Sequence, residues 1–557
     1  MLKIYKHSII NKTKDLIILK KDNFLKGAFI ATVCLVITKI LGILYVIPFY
    51  SIIGEKGSIL YGCAYNIYAL FINLSTVGLP LAISKLVSEY NTLKYYHLKQ
   101  RSYKLASRIM IITALITTVL LIVFAPNLAK YIIPDNNYGN TVSDITLVIR
   151  VSATAIIFVT LISMIRGYMQ GMKYIKASSI SQVIEQLVRV LIIVLGSLIY
   201  LKLIGKNISI AVSIAVFGAT AGAIFALFYL LYKRKQIPKD NLKEIKEEEK
   251  HVTNKYLLKK IIGYTIPFVV MGFIGASFEL VDMFTVVRTL TSHGYSTETA
   301  AVIMNIVTTL GSKLNVIITA VASGIVISLL PNLTGDFVKK NYTEVKNKIN
   351  RTLQIVIYIT IPMAVGLSLL AKPVWTIFYG NSEYGSKVFM VSIFIAVFNS
   401  ISSNIMIIMQ SVNRYKGLFI GLILGFLFNA ITNIPFMNLF YDLGLPIYYG
   451  NLFATMIGYI IMISISMYDL KKVFKVSYKE TLKQFVITII SVLIMSIVIL
   501  GLKQILPFNT TSRLTAILVV LICTIAGIIV YFTITYKTKS FDKIIGKGFL
   551  KRKNKTN

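Results

Sequence analysis

Apolar residues along the chain occur in blocks of about 20, separated by short polar or charged segments. A helix of that length crosses the hydrocarbon core of a bilayer, which is about 30 Å thick. Because backbone polar groups in lipid must be satisfied within their own segment, each block is expected to be a helix. The pattern therefore predicts an all-α polytopic membrane protein with about fourteen transmembrane helices.

The blocks fall into two sets of six, separated by one long charged segment, with two further blocks at the end. The expected spans are 27–53, 59–85, 106–126, 144–166, 178–201, 208–232, 261–288, 300–330, 352–371, 388–410, 416–438, 448–468, 484–502 and 513–536. The corresponding domains are a cytoplasmic N-terminal segment (1–26), an N-lobe (27–232), a charged cytoplasmic loop (233–260), a C-lobe (261–468), a final helix pair (484–536) and a basic cytoplasmic tail (537–557).

Charge sets the expected orientation. Most of the 59 lysine and arginine residues fall in segments that are cytoplasmic if the N-terminus is cytoplasmic. The positive-inside rule then places both termini in the cytoplasm, because the number of spans is even. The same distribution explains the net charge of +37, and it disfavours nucleic-acid binding because the basic residues are spread over many short loops.

The two lobes carry a trace of a repeat. The segment VSATAIIFVTLISMIRGYMQGMKYIK (from Val151) aligns without gaps with VSIFIAVFNSISSNIMIIMQSVNRYK (from Val391), at an offset of 240 residues. The shared MQ pair and the lysine after it mark the same junction between helix and loop. A six-span repeat keeps its orientation in the membrane, and parallel repeats of this kind are typical of transporters with a site between the halves.

Charged residues inside the spans are the candidate site residues, because such residues are rare and costly in lipid. Lys39 lies halfway along the first span and Lys313 lies within the eighth. Glu279 and Asp282 lie three residues apart on one face of the seventh span, which makes them candidates for ion coupling. At the 240-residue offset Lys39 corresponds to Glu279, so the alternative is that these carboxylates are neutralised by Lys39, Lys313 or Arg288.

Glu185 and Arg189 lie four residues apart on the fifth span and can form an ion pair along one helix. We expect this pair to be structural.

Motifs for catalysis are missing from the sequence. It has no P-loop, no nucleophile elbow and no histidine cluster with metal-ligand spacing, and its three cysteines lie in apolar blocks. We therefore expect no enzyme activity, no metal site and no cofactor.

The segment TKILGILYVIPFYSIIGEKGSILYGCAYNIYALFINLSTVGLPLAISKLVSEY (Thr38 to Tyr90) carries a family resemblance, together with RGYMQG (from Arg166) and VDMFTVVR (from Val281). With these motifs the chain resembles the stage V sporulation protein B branch of the polysaccharide-exporter family, within the multidrug/oligosaccharidyl-lipid/polysaccharide exporter superfamily. That branch is similar to the fourteen-span flippases that move the peptidoglycan precursor lipid II outward.

The resemblance implies a multi-pass protein of a bacterial plasma membrane that flips a polyprenyl-pyrophosphate-linked oligosaccharide by alternating access. It implies that Lys39 and Lys313 contact the pyrophosphate and that the last two spans hold the lipid tail. The partners implied are that lipid-linked substrate and the bilayer, with cell-wall synthesis or sporulation proteins as further candidates. The alternatives are a flippase for another lipid-linked polysaccharide unit, a cation-coupled multidrug exporter of the same superfamily and a non-transporting membrane scaffold.

Overall fold

The computed structural model describes residues 24–76, 78–132, 141–238, 246–507 and 512–545, and these residues form helices and short connections without a strand. Most of the N-terminal segment, the middle of the charged loop and the end of the basic tail lie outside the described residues. The expectation of an all-α fold is confirmed.

Thirteen of the described helices are long and apolar enough to cross a membrane. In the first half of the chain the helices are α1 (Phe24–Leu44), α2 (Val46–Thr76), α3 (Leu79–Thr92), α4 (Tyr96–Ile132), α5 (Val142–Gly171), α6 (Ile175–Leu191), α7 (Ile208–Lys235), the single turn α8 (Glu247–Lys250) and α9 (Asn254–Ser292). In the second half they are α10 (Thr297–Asn305), α11 (Gly311–Val338), α12 (Tyr342–Leu369), α13 (Ala371–Tyr379), α14 (Gly385–Ser411), α15 (Tyr415–Asp442), α16 (Ile447–Phe474), α17 (Lys479–Ile505), α18 (Arg513–Lys537) and α19 (Ser540–Ile545).

The candidate span Val33–Asn73 contains two crossings. Gly54 interrupts α2 with φ 64° and ψ −168°. The hydroxyl groups of Tyr45 and Tyr61 are 3.2 Å apart, whereas sixteen residues of straight helix would separate their backbones by about 24 Å. The chain therefore reverses at Gly54, and the thirteen candidates accommodate the fourteen expected crossings.

Two helices contain π-helical turns. The helix α6 continues through π turns at Ile192–Gly196 and Tyr200–Ile204, and a third π turn at Ile306–Leu310 joins α10 to α11. Such turns are frequent at functional sites.

The chain divides into two compact units. Unit 1 extends to Ala276 and unit 2 begins at Ser277, so the division falls within α9. The sequence places the division in the charged loop at 233–260. Unit 1 includes the first part of α9 because that part packs on α2 and α3, which belong to the same unit.

The first part of α9 contacts α2 and α3 at several points along its length. Asn73 donates a hydrogen bond to the Gly272 carbonyl at 3.5 Å. The Lys85 ammonium group lies 4.0 Å from the centre of the Tyr264 ring. Towards the start of α9, Lys260 donates to Glu89 at 2.6 Å.

The two units share local backbone geometry at repeat-related positions. Lys173 and Asn413, which are 240 residues apart, both adopt positive φ, with values of 67° and 57°. The hydrogen bond after each turn is also the same, from Tyr174 N to Met169 O at 2.8 Å and from Arg414 N to Met409 O at 2.7 Å. Gly54 and Gly294 are related in the same way, with φ 64° and 87°. These matches support the repeat that the sequence alignment suggests.

In unit 2 the last two long helices pack beside α12. The Tyr358 hydroxyl lies 2.9 Å from the Thr535 hydroxyl, and the Tyr531 hydroxyl donates to the Tyr358 carbonyl at 2.7 Å. Both contacts connect α12 to α18.

Candidate functional site

Lys39 lies on an exposed face of α1. Its side chain is exposed, as are the neighbouring Val36 and Ile40, while Cys34 on the same helix is buried. A cation that is to meet a substrate must be accessible, and Lys39 satisfies that requirement.

Glu279 and Lys313 belong to unit 2, on α9 and α11. Both side chains are partly buried, and the Lys313 ammonium group interacts electrostatically with the Glu279 carboxylate. Lys313 and Arg288 are the two cations of this unit that the sequence suggests as partners of Glu279, and Lys313 is close enough to interact with it. This interaction opposes the charge that Lys313 could present to a phosphate.

Asp282, one turn along α9 from Glu279, is 5% exposed and lies in a group of polar side chains. Its Oδ1 accepts a hydrogen bond from Asn433 Nδ2 at 2.8 Å, and Asn433 Oδ1 accepts one from the Thr285 hydroxyl at 2.8 Å. Asn451 and Thr455 also interact with the Asp282 carboxyl group. Three helices, α9, α15 and α16, thus bring polar groups to one point.

Two of the surrounding amides have unused oxygens. Asn429 and Asn451 are fully buried, and Asn429 Nδ2 donates to the Thr455 hydroxyl at 2.8 Å. The Oδ1 atoms of Asn429 and Asn451 accept no hydrogen bond from the described part of the chain. Asn451 Nδ2 likewise donates to no group in that part of the chain, so this buried cluster has both acceptors and a donor without partners.

A hard cation fits this set of donors better than a transition metal does. The set consists of one carboxylate with amide and hydroxyl oxygens, which is the ligand type that hard cations prefer. Among the described residues no three histidine, cysteine or acidic side chains come together as a metal cluster.

The amides of this site are not among the residues predicted from the sequence. Asn429 and Asn433, like Asn451 and Thr455, are four residues apart and share a helix face. Polar pairs at helical spacing inside an apolar span indicate such a site. They carry no charge, so they are less conspicuous in the sequence than Glu279 or Asp282.

In unit 1, Glu185 and Arg189 form the expected pair, with Arg189 Nη2 2.6 Å from Glu185 Oε1. A third residue joins them, because Arg166 Nη1 on α5 lies 2.9 Å from Glu185 Oε2. Arg166 Nε also donates to the Ser181 hydroxyl at 2.7 Å. The pair is thus part of a triad, which the spacing on one helix could not reveal.

Glycine allows α7 to approach this triad closely. A Cβ atom on Gly222 would lie 2.5 Å from the Glu185 carbonyl oxygen, and one on Gly218 would lie 2.9 Å from the Arg189 carbonyl oxygen. Both distances are too short for any side chain, so the packing of α7 on α6 depends on these two residues.

Unit 2 contains an apolar groove of about 400 Å³. Its lining comes from α11, α12, α17 and α18 and includes Pro362, Met363, Met495, Ile499, Gly527 and Ile528. The groove thus lies between the final helix pair and α12.

Comparison with known proteins places this fold. A profile for the family described as "Polysaccharide biosynthesis protein" matches residues 24–323. The lipid II flippase MurJ of Bacillus subtilis (strain 168) is 29% identical over 547 residues, which cover 95% of this chain and 99% of MurJ. Stage V sporulation protein B of the same organism is 25% identical over 373 residues, which cover 66% of this chain and 69% of that relative.

A solved structure of the lipid II flippase MurJ, in an inward closed conformation, superposes with a TM-score of 0.62. The match has 18% sequence identity and covers 93% of this chain and 100% of that chain. It shows that the two share a fold. Because the family profile matches more than half of the sequence, the chain belongs to the polysaccharide biosynthesis protein family.

Proposed function

We propose that the protein is a membrane flippase that moves a polyprenyl-pyrophosphate-linked oligosaccharide from the inner to the outer leaflet, with lipid II as the substrate. Family membership and the similarity to a lipid II flippase over nearly the whole chain support this proposal. We place it in a bacterial plasma membrane with both termini in the cytoplasm, where cell-wall synthesis or sporulation proteins are candidate partners.

The apolar groove of unit 2 is the observation that carries the proposal. A polyprenyl-linked substrate has a long hydrocarbon tail and a large polar headgroup. A groove of about 400 Å³ lined almost entirely by apolar side chains suits part of such a tail. A small hydrophilic substrate would have no use for it.

The headgroup needs a different environment. A pyrophosphate cannot cross hydrocarbon unaided, because an unpaired charge in a low dielectric costs many kcal/mol. In our proposal Lys39, which is exposed, contacts the pyrophosphate, and Lys313 assists while balancing Glu279. Alternating access to the two leaflets then moves the headgroup across the membrane, while the tail remains in apolar surroundings.

Asp282 is the proposed coupling group. Charging and neutralising a buried carboxylate changes the stability of the polar cluster around it. Binding of a proton or a monovalent cation at Asp282 would therefore favour one conformation of α9, α15 and α16 over another. The energy source we propose is an ion gradient or the membrane potential.

Reconstitution tests the proposal. Purified protein in liposomes should make fluorescent lipid II accessible to an external quencher faster than protein-free liposomes do. Excess unlabelled lipid II should compete, whereas a lipophilic drug cation should not. Competition by the drug cation alone would identify a multidrug exporter, stronger competition by another polyprenyl-linked oligosaccharide would change the substrate, and no movement of any polyprenyl lipid would overturn the proposal.

Substitutions at Lys39 test the headgroup contact. Lys39→Ala should reduce lipid II movement at least tenfold, because one charge-assisted contact to phosphate is worth about 1.5–3 kcal/mol. Lys39→Arg should retain most of the activity because the charge remains. Lys202→Ala, which removes an exposed lysine at the end of the fifth span, is the matched control and should leave movement unchanged. Full activity of Lys39→Ala would remove Lys39 from the site.

A further inference from the structure

Unit 1 contains a small cavity that the flippase proposal does not use. It has a volume of about 30 Å³, which is enough for one or two water molecules or one small ion. Three tyrosines of α2 line it, namely Tyr61, Tyr65 and Tyr68, and Arg189 of α6 closes one side. The remaining lining is contributed by Ser152, Ile193 and small apolar residues of α7.

The charges beside this cavity do not balance. The triad described above contains two guanidinium groups, Arg166 and Arg189, and one carboxylate, Glu185. Within the described residues, Glu185 is the acid recorded as acting on either arginine. One positive charge is therefore left over in a cluster whose side chains are only 12–24% exposed, where an uncompensated charge is unfavourable.

Hydrogen-bond donors are also left over. Arg189 Nε and Arg166 Nη2 are buried and have no acceptor in the described part of the chain. The Arg189 guanidinium group interacts electrostatically with the three tyrosines of the cavity, first of all with Tyr68. The Arg189 Nε–H group and the Tyr68 hydroxyl group lie beside one small space and can both donate to a single acceptor there.

We propose that this cavity binds one small monovalent anion of the size of chloride. Such an ion neutralises the excess charge of the triad and accepts the unused hydrogen bond of Arg189. Water would accept the hydrogen bond but leave the charge uncompensated. A pyrophosphate-linked sugar is far too large for a cavity of about 30 Å³, so the site is separate from the proposed substrate site.

The ion would connect α2 with α6, adding to the electrostatic interaction between Arg189 and the three tyrosines. Tyr61 and Tyr68 lie on α2, beyond the Gly54 reversal, and Arg189 lies three residues before the first π turn of α6 begins at Ile192. Occupancy should therefore stabilise the packing of α2 on α6 in unit 1. This role does not depend on which lipid the protein moves.

Thermal unfolding of the purified full-length protein tests the site. Sodium gluconate is replaced stepwise by sodium chloride, so that sodium concentration and ionic strength stay constant. The melting temperature of the wild type should rise by a few degrees with chloride, and also with bromide, because ligands that bind only the folded state stabilise it. Equal melting temperatures in gluconate, chloride and bromide would overturn the proposal.

Variants locate the effect. Tyr68→Phe, which removes one hydroxyl group and keeps the ring, should raise the half-saturating chloride concentration at least threefold, and Arg189→Gln should abolish the shift. Arg414→Gln removes an arginine from a paired site in unit 2, where Arg414 Nε and Nη2 donate to Asp469 at 2.9 and 2.7 Å, and should keep the full chloride shift. Lys39→Ala should keep it too, and loss of the shift in Lys39→Ala would place the anion at the proposed substrate site instead.

Crystallography of the wild type covers the case in which Arg189→Gln does not fold. Crystals grown in bromide should show an anomalous peak within about 3.5 Å of Arg189 Nε, a hydrogen-bonding distance for a large anion. A well-ordered structure with no peak in this cavity would overturn the proposal, whatever the variants show.

Discussion

Asp282 differs from Glu185 and Glu279 because its hydrogen-bonding partners are neutral amide and hydroxyl groups. Glu185 lies between two arginines, and Glu279 interacts with Lys313. Asp282 has amide and hydroxyl groups as hydrogen-bonding partners, and it also interacts electrostatically with the Glu279 carboxylate one turn away. A carboxylate in such surroundings can bind or release a proton or a cation without breaking an ion pair. A coupling group must do this.

Replacing Asp282 tests this difference. Asp282→Asn should leave the protein folded, because an amide of the same shape can still accept from Asn433. Lipid movement in liposomes should then no longer respond to an imposed proton or sodium gradient. The measurement is the initial rate of fluorescent lipid movement with and without the gradient.

Asp469→Asn is the matched control for removing a partly buried carboxylate. This residue accepts two hydrogen bonds from Arg414. Loss of this carboxylate should lower the free energy of unfolding by about 1–3 kcal/mol. The response of lipid movement to the ion gradient should remain. An undiminished gradient response in Asp282→Asn would exclude Asp282 as the coupling group.

At the scale of single residues, the charged candidates can be identified from the sequence, but the residues that contact them cannot. Lys39, Glu279 and Asp282 stand out because charge is rare in an apolar span. Arg166 lies near the end of its span and Asn433 is neutral, so neither has a composition signal of its own. Which side chains meet them depends on helix rotation and packing, which hydropathy does not encode.

Among the helices, the contact between α3 and α9 depends on Gly78. A Cβ atom at this position would lie 2.5 Å from the Thr265 carbonyl oxygen and 3.0 Å from its side chain. Gly78→Ala should therefore separate the two helices and lower the free energy of unfolding by about 1–3 kcal/mol, as overpacking usually does. Thermal unfolding monitored by size-exclusion chromatography measures the change.

Gly263→Ala, on the same helix α9, is the control. A Cβ atom there meets nothing within 4 Å. Alanine should be neutral or stabilise the helix by about 0.5–1 kcal/mol. If both variants had the same melting temperature, the tight approach at Gly78 would not matter for stability.

The reversal at Gly54 supplies the opposite kind of test. Space is open around a Cβ atom at this position, but φ 64° with ψ −168° is a conformation that only glycine adopts readily. Gly54→Ala should thus destabilise the protein by about 1–3 kcal/mol through backbone strain alone. Gly501 lies within helix α17 with open space around a Cβ atom, so Gly501→Ala should not destabilise the protein. Equal stability of the two variants would argue against the reversal at Gly54.

The sequence located the helices well because their length and apolarity are set by the bilayer. It placed the reversal of the first two spans between 53 and 59, and Gly54 lies there. The π turns of α6 were not foreseen, since one extra residue in a turn leaves the apolar pattern of a membrane helix unchanged. The sequence predicts a division in the charged loop at 233–260, whereas the two compact units meet within α9.

For the whole molecule, the groove of unit 2 should set a preference for tail length. Gly527→Leu places a large side chain in the groove, next to Ile499 and Met495. Movement of a long-chain polyprenyl substrate should fall several-fold, while a short-chain analogue should be affected much less. The ratio of the two initial rates in liposomes is the measurement.

Gly501→Leu changes the same residue type on α17 at a position with open space and should leave the ratio unchanged. An equal loss for long and short tails in Gly527→Leu would indicate a folding defect rather than a tail site.

The general architecture followed from the sequence, and the substrate did not. Span count, helical class and the repeat all come from periodic features, and the matching turns at Lys173 and Asn413 agree with the alignment offset. A cavity that accepts a pyrophosphate differs from one that accepts a drug cation by a few side chains. Lys313 illustrates the difficulty, because the same residue can neutralise Glu279 or face a phosphate.

The three cysteines of the chain have a practical consequence. Cys34, Cys63 and Cys523 are all buried within helices and unpaired, with exposures of 7%, 1% and 0%. Buried thiols in apolar surroundings react poorly, because the reactive thiolate is disfavoured there. A cysteine introduced into an exposed loop will therefore be the dominant target for a membrane-impermeant maleimide. The side of the membrane on which each loop lies can be read by labelling in intact cells, without first removing the natural cysteines.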